Sequence, residues 1–259
     1  MNFEGFKTTE DGRGVVVEMA MPPLLRGHFF AKLYARGEMN DAARGDPGAV
    51  WRTLSAEYGE TPLVAPHQVH GTRIIEVGEA VALPLRPEAD ALHIAPSSSA
   101  FASLRFADCA PVVIAGRAEE PWMYILHSGF KGTLQNISAA VLQNAAERYR
   151  SFSQRSVWAW VCPAIGAECY SRRREDPSAA EAVEKFSAEN FREDGEFFRF
   201  DIKREIARQI ADFGVPRGNI FIYDCCTSCR RDYFYSYRAG DGEKRLFLLA
   251  GKAKSAGKV

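Results

Sequence analysis

Short apolar runs rich in Val, Ile and aromatic residues recur along the chain, and this pattern is typical of β-strands. The predicted strands are residues 14–19, 72–77, 111–115, 122–126, 157–161, 219–223 and 245–249. The last strand is expected to pair with residues 233–238 as a hairpin, across a turn that contains Gly240-Asp241-Gly242.

Three helices are predicted between the strands. Apolar residues with helical spacing cover residues 133–149. A second helix begins at Asp176-Pro177, an N-cap followed by proline at the first helical position. A third begins at the cap Asp201 and ends at Gly214. Strands interleaved with helices predict an α/β or α+β fold with mixed sheets.

Composition places the chain among ordinary globular proteins. It has 259 residues, 46% hydrophobic and 25% charged, and equal numbers of acidic and basic residues. Zero net charge argues against non-specific binding to nucleic acid or anionic membranes. No apolar run is long enough for a membrane helix, and the first 13 residues lack a signal core. We expect a cytoplasmic protein with reduced cysteines, a single domain over residues 1–251 and a loose basic tail over 252–259.

Histidine and cysteine are scarce, which narrows the search for a site. Cys109 enters a predicted strand, and His127 ends another strand before a glycine-containing turn and a helix. Such a turn is a common place for a site in α/β proteins, and free N–H groups beside Lys131 would favour an anion such as phosphate. Taken alone, Cys109 and His127 are more typical of core packing, and His67 of a polar loop.

Three segments resemble, in their order, the laccase-domain family. They are Gln68-Val69-His70-Gly71, Ala107-Asp108-Cys109-Ala110-Pro111-Val112 and His127-Ser128-Gly129-Phe130-Lys131-Gly132. Supporting pieces are Arg36-Gly37, Ala89-Asp90-Ala91, Pro163-Ala164-Ile165 with Tyr170, Asp201, Cys226-Thr227 and Phe234-Tyr235-Ser236-Tyr237-Arg238. Family members have been described as multicopper polyphenol oxidases, purine nucleoside phosphorylases and a peptidoglycan editing factor. The resemblance implies layered mixed β-sheets covered by helices, as in the cytotoxic necrotizing factor-like fold.

The resemblance also implies one zinc ion per chain, held by His70, Cys109 and His127. Two imidazoles and one thiolate suit zinc, and three protein ligands leave a fourth position open, which is the pattern of a catalytic site. Five histidines cannot supply the imidazole-rich ligation of several coppers, so the sequence argues against a multicopper oxidase.

The leading hypothesis from the resemblance is zinc-dependent phosphorolysis of adenosine, inosine or methylthioadenosine, with deamination of adenosine as an additional reaction. The predicted catalytic residues are Asp108, Cys109 and His127, and Asp108 could instead orient a metal-bound imidazole. The predicted substrate-binding residues are Arg36, Gln68, Lys131 and Arg238. Lys131 stands where the family usually has Arg, so it keeps the charge but loses the planar fork. We expect a purine nucleoside and phosphate as partners, and a monomer or homodimer.

Three alternatives remain open at this stage. A zinc amidase could edit muropeptide precursors, or Cys109 could act without metal as a nucleophile with His127 as its base. The protein could also be a metal-binding partner of cell-division or envelope proteins, without catalytic activity.

The other cysteines raise the question of a second metal. Cys226 and Cys229 have C-x-x-C spacing next to Cys225, and Cys162 with Cys169 could complete a thiolate set. The spacing of Cys162 and Cys169 is too open for a zinc knuckle. The sequence therefore favours reduced, partly buried thiols at these five positions.

Overall fold

The computed structural model describes residues 3–59 and 61–253, which form three β-sheets and six α-helices. The described strands are β1 (Phe6–Asp11), β2 (Gly14–Met19), β3 (Phe29–Tyr34), β4 (Leu63–Val64), β5 (Ile74–Glu76), β6 (Ala91–Ile94), β7 (Phe101–Phe106), β8 (Ala110–Arg117), β9 (Pro121–Ser128), β10 (Val157–Val161), β11 (Ser171–Arg173), β12 (Phe191–Asp194), β13 (Phe197–Phe200), β14 (Ile220–Ile222) and β15 (Leu246–Lys252). The helices are α1 (Glu38–Ala43), α2 (Pro47–Tyr58), α3 (Phe130–Leu134), α4 (Ile137–Arg148), α5 (Pro177–Lys185) and α6 (Ile202–Asp212).

Two six-stranded mixed sheets form the body of the protein. Their strand orders are β1-β2-β3-β15-β7-β4 and β14-β10-β8-β9-β6-β5. Each contains antiparallel pairs and at least one parallel pair, such as β4 with β7 and β10 with β14. A third sheet, β11-β13-β12, is small and antiparallel.

The two large sheets pack face to face, and alternate residues of each strand point into different layers. In β8, Val113 lies in the core between the sheets, where it is grouped with Leu104 of β7. The next residue back, Val112, lies on the outer face with Val141 of α4 and Ile206 of α6. On the far side, α2 covers the first sheet through Leu54. The predicted mixed α/β domain of layered sheets and helices is confirmed.

Local signals placed two helices correctly. The Asp176 carboxylate accepts the N–H of Ser178 at 2.9 Å where α5 begins, and Asp201 accepts the N–H of Arg204 at 3.0 Å where α6 begins. The predicted helix 133–149 is instead two helices, α3 and α4. Asn136 separates them with a left-handed backbone (φ 54°), and its side chain caps α4 by accepting the N–H of Ala139.

The predicted hairpin of residues 233–238 with the last strand is wrong. Residues 233–240 form turns and irregular chain, whereas β15 pairs with β3 and β7 in the middle of the first sheet. The buried carboxylate of Asp241 holds the loop by accepting the N–H of Ser236 at 2.8 Å. Lys252, expected in the tail, is the last residue of β15, and residues 254–259 lie outside the described range. Within the described residues, no helix combines the length and apolar character needed to cross a membrane.

Packing against Gly116 of β8 gives a test of the sheet core. A Cβ atom there would lie 2.4 Å from Cζ2 of Trp122 and 2.9 Å from the carbonyl oxygen of Ser156. We expect Gly116→Ala to lower the free energy of unfolding by about 1–3 kcal/mol, because the backbone and a buried indole would have to move. The control is Gly78→Ala, where a Cβ meets nothing within 4 Å. Chemical denaturation of both variants checks this, and equal stabilities would contradict the packing described here.

Candidate metal centre

Pairing of β8 with β9 brings Cys109 and His127 together. The two strands are antiparallel, with Pro111 opposite His127 and Ala110 opposite Ser128. Cys109 comes directly before β8, so it lies beside the end of β9 although 18 positions separate it from His127 in the chain. This register places a thiol and an imidazole at one edge of the second sheet.

The carboxylate of Asp90 folds the His70 loop against this edge. Asp90 is fully buried and accepts the N–H groups of Val69, His70 and Gly71 at 3.1, 3.0 and 2.8 Å. His70 has a left-handed backbone (φ 61°), so the loop turns at this residue. Burial alone would raise the pKa of Asp90, but the hydrogen bonds from His127 and these amides lower it below its usual value. A buried carboxylate thus sets the position of the first predicted ligand.

The same carboxylate orients His127. Nδ1 of His127 lies 2.7 Å from Oδ1 of Asp90 and donates to it, which leaves Nε2 for the site. Sγ of Cys109 lies 3.8 Å from Nε2 of His70. One donor atom from each of His70, Cys109 and His127 lies within 4.8 Å of the other two. The three side chains converge as predicted, and they could hold one metal ion.

Gly129 makes this close approach possible. A Cβ atom at position 129 would lie 2.5 Å from Sγ of Cys109 and 3.2 Å from Cδ2 of His70. Any side chain there would displace two of the three candidate ligands, so the turn after β9 needs glycine for space.

Charge within the group favours a thiolate. Burial opposes ionisation of Cys109, but the positive charge of His127 and hydrogen bonds from His127 and His70 lower its pKa to about 6. Burial likewise disfavours the charged form of His127, but the thiolate of Cys109 and the carboxylate of Asp90 raise its pKa to about 9. The thiolate is the form in which cysteine binds a metal, whereas the imidazolium of His127 has to release its Nε2 proton before that nitrogen can bind one.

A cavity of about 620 Å³ opens from this group, and most of its charged walls are basic. Its lining residues are Arg44, Gly45, His67, Gln68, His70, Arg86, Arg105, Ala107, Asp108, Cys109, His127, Tyr170, Tyr237, Arg238, Glu243 and Arg245. This volume is typical of a small-molecule site.

Three cavity arginines crowd together without a carboxylate partner. In the described part of the chain, no ion pair involves Arg86, Arg105 or Arg245, whereas Arg44 pairs with Glu243 at 2.7 Å. Burial, together with the charges of Arg86 and Arg245, lowers the pKa of Arg105 to about 10. Nε of Arg105 is buried and has no hydrogen-bond partner. Each guanidinium donates to a backbone carbonyl, Arg86 to Ala65, Arg105 to Pro66 and Arg245 to Gly242, but no carboxylate in the described part of the chain neutralises the three charges.

The four predicted substrate-binding residues have different surroundings. Gln68 and Arg238 line the cavity, but both amide atoms of Gln68 are already bonded to Arg105. Lys131 lines an adjacent cavity of about 230 Å³, which also contains His70, Asp108 and Cys109.

Arg36 is not among the residues that line either of these two cavities. Its guanidinium donates to the Phe234 carbonyl and to Asp241, with Nη2 2.7 Å from Oδ1, and it lies 4.3 Å from the ring centre of Tyr235. Its charge is therefore used to hold the loop that supplies Tyr237 and Arg238.

Asp108 lines the cavity but does not orient an imidazole. Its Oδ1 accepts the hydroxyl of Thr227 at 2.7 Å, and its Oδ2 accepts the N–H of Arg238 at 2.8 Å. Asp90 has this orienting role instead. It lies in the motif Ala89-Asp90-Ala91, but the sequence indicated no function for it. The three unpaired arginines were also missed, because residues 86, 105 and 245 share no sequence motif.

Asp90→Asn tests the orienting role. The amide cannot serve as a full acceptor for three N–H groups and His127, so affinity for Zn²⁺ should fall roughly 10–100-fold. Competition with a chromophoric chelator measures this. Asp108→Asn is the matched control, and it should leave affinity near that of the unsubstituted protein because Asp108 does not contact a candidate ligand imidazole. Equal affinities for both variants would contradict the role of Asp90.

Alkylation tests the ionisation of Cys109. In chelator-treated protein, the rate of Cys109 modification by iodoacetamide should rise as pH increases through about 6 and level off above it, because only the thiolate reacts. Peptide mapping separates Cys109 from the other cysteines. In His127→Gln the midpoint should move upwards, because the neighbouring positive charge is lost. A rate in unsubstituted protein that still climbs between pH 8 and 9 would rule out the lowered pKa.

Comparisons with known proteins agree with the fold and the motifs. The chain is 28% identical over 172 residues to purine nucleoside phosphorylase YfiH of Shigella flexneri, an alignment that spans 66% of this chain and 66% of that relative. It is 27% identical over 214 residues to purine nucleoside phosphorylase YlmD of Geobacillus stearothermophilus, spanning 78% and 77% of the two chains. The crystal structure of YlmD from Geobacillus stearothermophilus superposes with a TM-score of 0.80 at 22% identity, covering 96% of this chain and 99% of that one.

The family comparison covers most of the chain. Residues 31–248 match the family model described as multi-copper polyphenol oxidoreductase laccase. This match spans all three motifs that carry the candidate ligands. The chain therefore belongs to this laccase-domain family.

Proposed function

We propose that the protein is a zinc-dependent purine nucleoside phosphorylase that acts on adenosine, inosine or methylthioadenosine. One observation carries the proposal: a single cavity joins a His/Cys/His group to three arginines that have no carboxylate partner. The names of the relatives agree with this reaction class. Deamination of adenosine, a cytoplasmic location and a monomeric or homodimeric state belong to the same proposal.

The donor set fits zinc. His70, Cys109 and His127 would hold the ion, and two imidazoles with one thiolate are borderline-soft ligands of the kind zinc prefers. When bound, zinc supplies Lewis acidity that polarises a substrate group or activates water. The buried Asp90 carboxylate compensates part of the positive charge and keeps His127 in its binding orientation.

The arginine group would bind phosphate. Arg86, Arg105 and Arg245 present planar guanidinium groups to the cavity, and these match the oxygens of a phosphate ion. Burial and the charges of Arg86 and Arg245 lower the pKa of Arg105, and a bound anion would offset both effects.

Two tyrosines form the aromatic part of the cavity. Tyr237 is 65% exposed and lines the cavity, so its ring is free to stack on a purine. The guanidinium of Arg238 lies 4.9 Å from the ring centre of Tyr170, which fixes both side chains at the cavity wall.

In phosphorolysis, a phosphate oxygen forms a bond to C1′ of the ribose while the bond from C1′ to the purine nitrogen breaks. The bonding electrons leave with the purine, which takes up the proton that the attacking hydrogen phosphate gives up. Asp108 is the carboxylate that we propose as the proton carrier. Each of its oxygens accepts one hydrogen bond from the protein, so each keeps an acceptor position for substrate.

A metal-free hydrolase that uses Cys109 as nucleophile is the second candidate. The lowered pKa of Cys109 and the raised pKa of His127 favour it, because they describe a thiolate beside an imidazolium. Metal dependence separates the two candidates. A zinc amidase would use the same three ligands, and its products would distinguish it from a nucleoside phosphorylase.

Activity assays test the proposal directly. Purified protein should release free purine from adenosine or inosine only when phosphate is present, and should form ribose 1-phosphate in equal amount. Chelation should abolish turnover and Zn²⁺ should restore it. Turnover that survives chelation would favour the Cys109 nucleophile, and the absence of any nucleoside product with metal and phosphate present would refute the proposal.

Substitution of a cavity arginine tests the phosphate site. Arg245→Gln should raise KM for phosphate about 10–100-fold, because a charge-assisted hydrogen bond contributes roughly 1.5–3 kcal/mol. KM for the nucleoside should change little. The matched control is Arg44→Gln in the same cavity, whose charge is already paired with Glu243. Equal effects of the two variants would contradict the assignment.

A further inference from the structure

Three cysteines form a second cluster outside the candidate metal centre. One donor sulfur from each of Cys169, Cys226 and Cys229 lies within 4.8 Å of the other two, and Sγ of Cys169 is 3.3 Å from Sγ of Cys229. All three are free thiols, and none lines the 620 Å³ cavity. The mechanism proposed above makes no use of them.

Two tight turns build this cluster. In the first turn, the N–H of Arg230 donates to the Cys226 carbonyl at 3.0 Å, which brings residues 226 and 229 to the same side. In the second, the N–H of Cys169 donates to the Gly166 carbonyl at 2.9 Å. A bridge between Ala164 and Cys226 joins the two turns across the sequence. The C-x-x-C pair therefore gains a third sulfur that lies 60 positions away from Cys229.

Backbone contacts already orient one of the sulfurs. The N–H of Gly166 donates to Sγ of Cys226 at 3.1 Å, and a Cβ at Gly166 would lie 3.1 Å from Cβ of Cys226. Hydrogen bonds of this kind orient thiolates in metal sites. Cys169 and Cys226 are partly buried and Cys229 is exposed, which leaves a path for an ion to enter.

The two remaining cysteines of this region lie elsewhere. Cys162 is fully buried in the core between the two large sheets, and Cys225 is buried in the same core. The four-thiolate set that would include Cys162 is therefore not assembled. Among the described residues, the sulfur group contains Cys169, Cys226 and Cys229 and no histidine or carboxylate.

We propose that Cys169, Cys226 and Cys229 form a second metal site that binds a thiophilic d¹⁰ cation, Zn²⁺ or Cu⁺, through three thiolates. Soft thiolate ligands select these ions over the hard cations Mg²⁺ and Ca²⁺. Three thiolates complete a trigonal site for Cu⁺, whereas Zn²⁺ would add one water as its fourth ligand. Binding releases the thiol protons to solvent, so that no oxidant or reductant is needed.

A cation bound at this site would connect two walls of the cavity. Thr227, within the Cys226–Cys229 turn, donates to Asp108 at 2.7 Å, and Tyr170 follows Cys169 directly and lines the cavity. A cation held by both turns would fix the distance between Asp108 and Tyr170. The second metal would thus stabilise the shape of the cavity without touching substrate.

Metal loading of paired variants tests the proposal. Cys109→Ala disables the candidate metal centre and serves as the background. Reduced, metal-free protein is loaded anaerobically with Zn²⁺ in one arm and Cu⁺ in another, passed through a desalting column and analysed by native mass spectrometry. The background should retain one ion in at least one arm, and that ion should protect Cys169 and Cys229 from alkylation.

Adding Cys229→Ala to the background should abolish retention of the ion, whereas adding Cys225→Ala, the matched control, should not. Circular dichroism checks that each variant is folded, and Cys169→Ala replaces Cys229→Ala if the latter is not. Equal retention with and without Cys229, or none in either arm, would overturn the proposal. A Cys169–Cys229 disulfide formed in air, in protein that takes up no ion after reduction, would overturn it too.

Discussion

The buried carboxylate of Asp90 is the interaction on which the candidate centre depends. A charge with no exposure to water is costly unless hydrogen bonds and an opposite charge satisfy it. Asp90 accepts three backbone N–H groups from the His70 loop and one from the ring of His127. The requirement to satisfy one carboxylate therefore determines where His70 lies and which nitrogen of His127 faces the site.

The layers around this carboxylate make its position rigid. Asp90 comes directly before β6, which pairs with β9, and β9 pairs with β8 in the middle of the second sheet. Both faces of this sheet are covered, by the first sheet on one side and by α4 and α6 on the other. The cavity, in contrast, is walled by loops, whose positions depend on ion pairs such as Arg36 with Asp241. His127 lies on β9 and Cys109 lies directly before β8, so the second sheet positions two of the candidate ligands. Loops supply His70 and most of the groups proposed to contact substrate.

The cavity also shows where the protein has kept charges unsatisfied. Arg86, Arg105 and Arg245 repel one another, and no carboxylate in the described chain pairs with them. Arg36, by contrast, is paired with the carboxylate of Asp241. The difference between these arginines is visible only in their partners. The partners distinguish Arg36, which maintains the fold, from the three cavity arginines, which are available to an anion.

Local chemistry in the sequence determined five of the six strands of the second sheet, the caps of α5 and α6, the mixed α/β class and, through ordered motifs, the three candidate ligands. These features depend on short-range signals: apolar runs, capping carboxylates and the residue types that bind metals. Only the tertiary structure decided that Asp90 orients His127, that Arg36 pairs with Asp241, and that β15 lies between β3 and β7 instead of forming a hairpin. It also joined Cys169 to the distant Cys226–Cys229 turn. Each of these outcomes rests on contacts between residues far apart in the chain, whose energies depend on burial and on partners that no local pattern specifies.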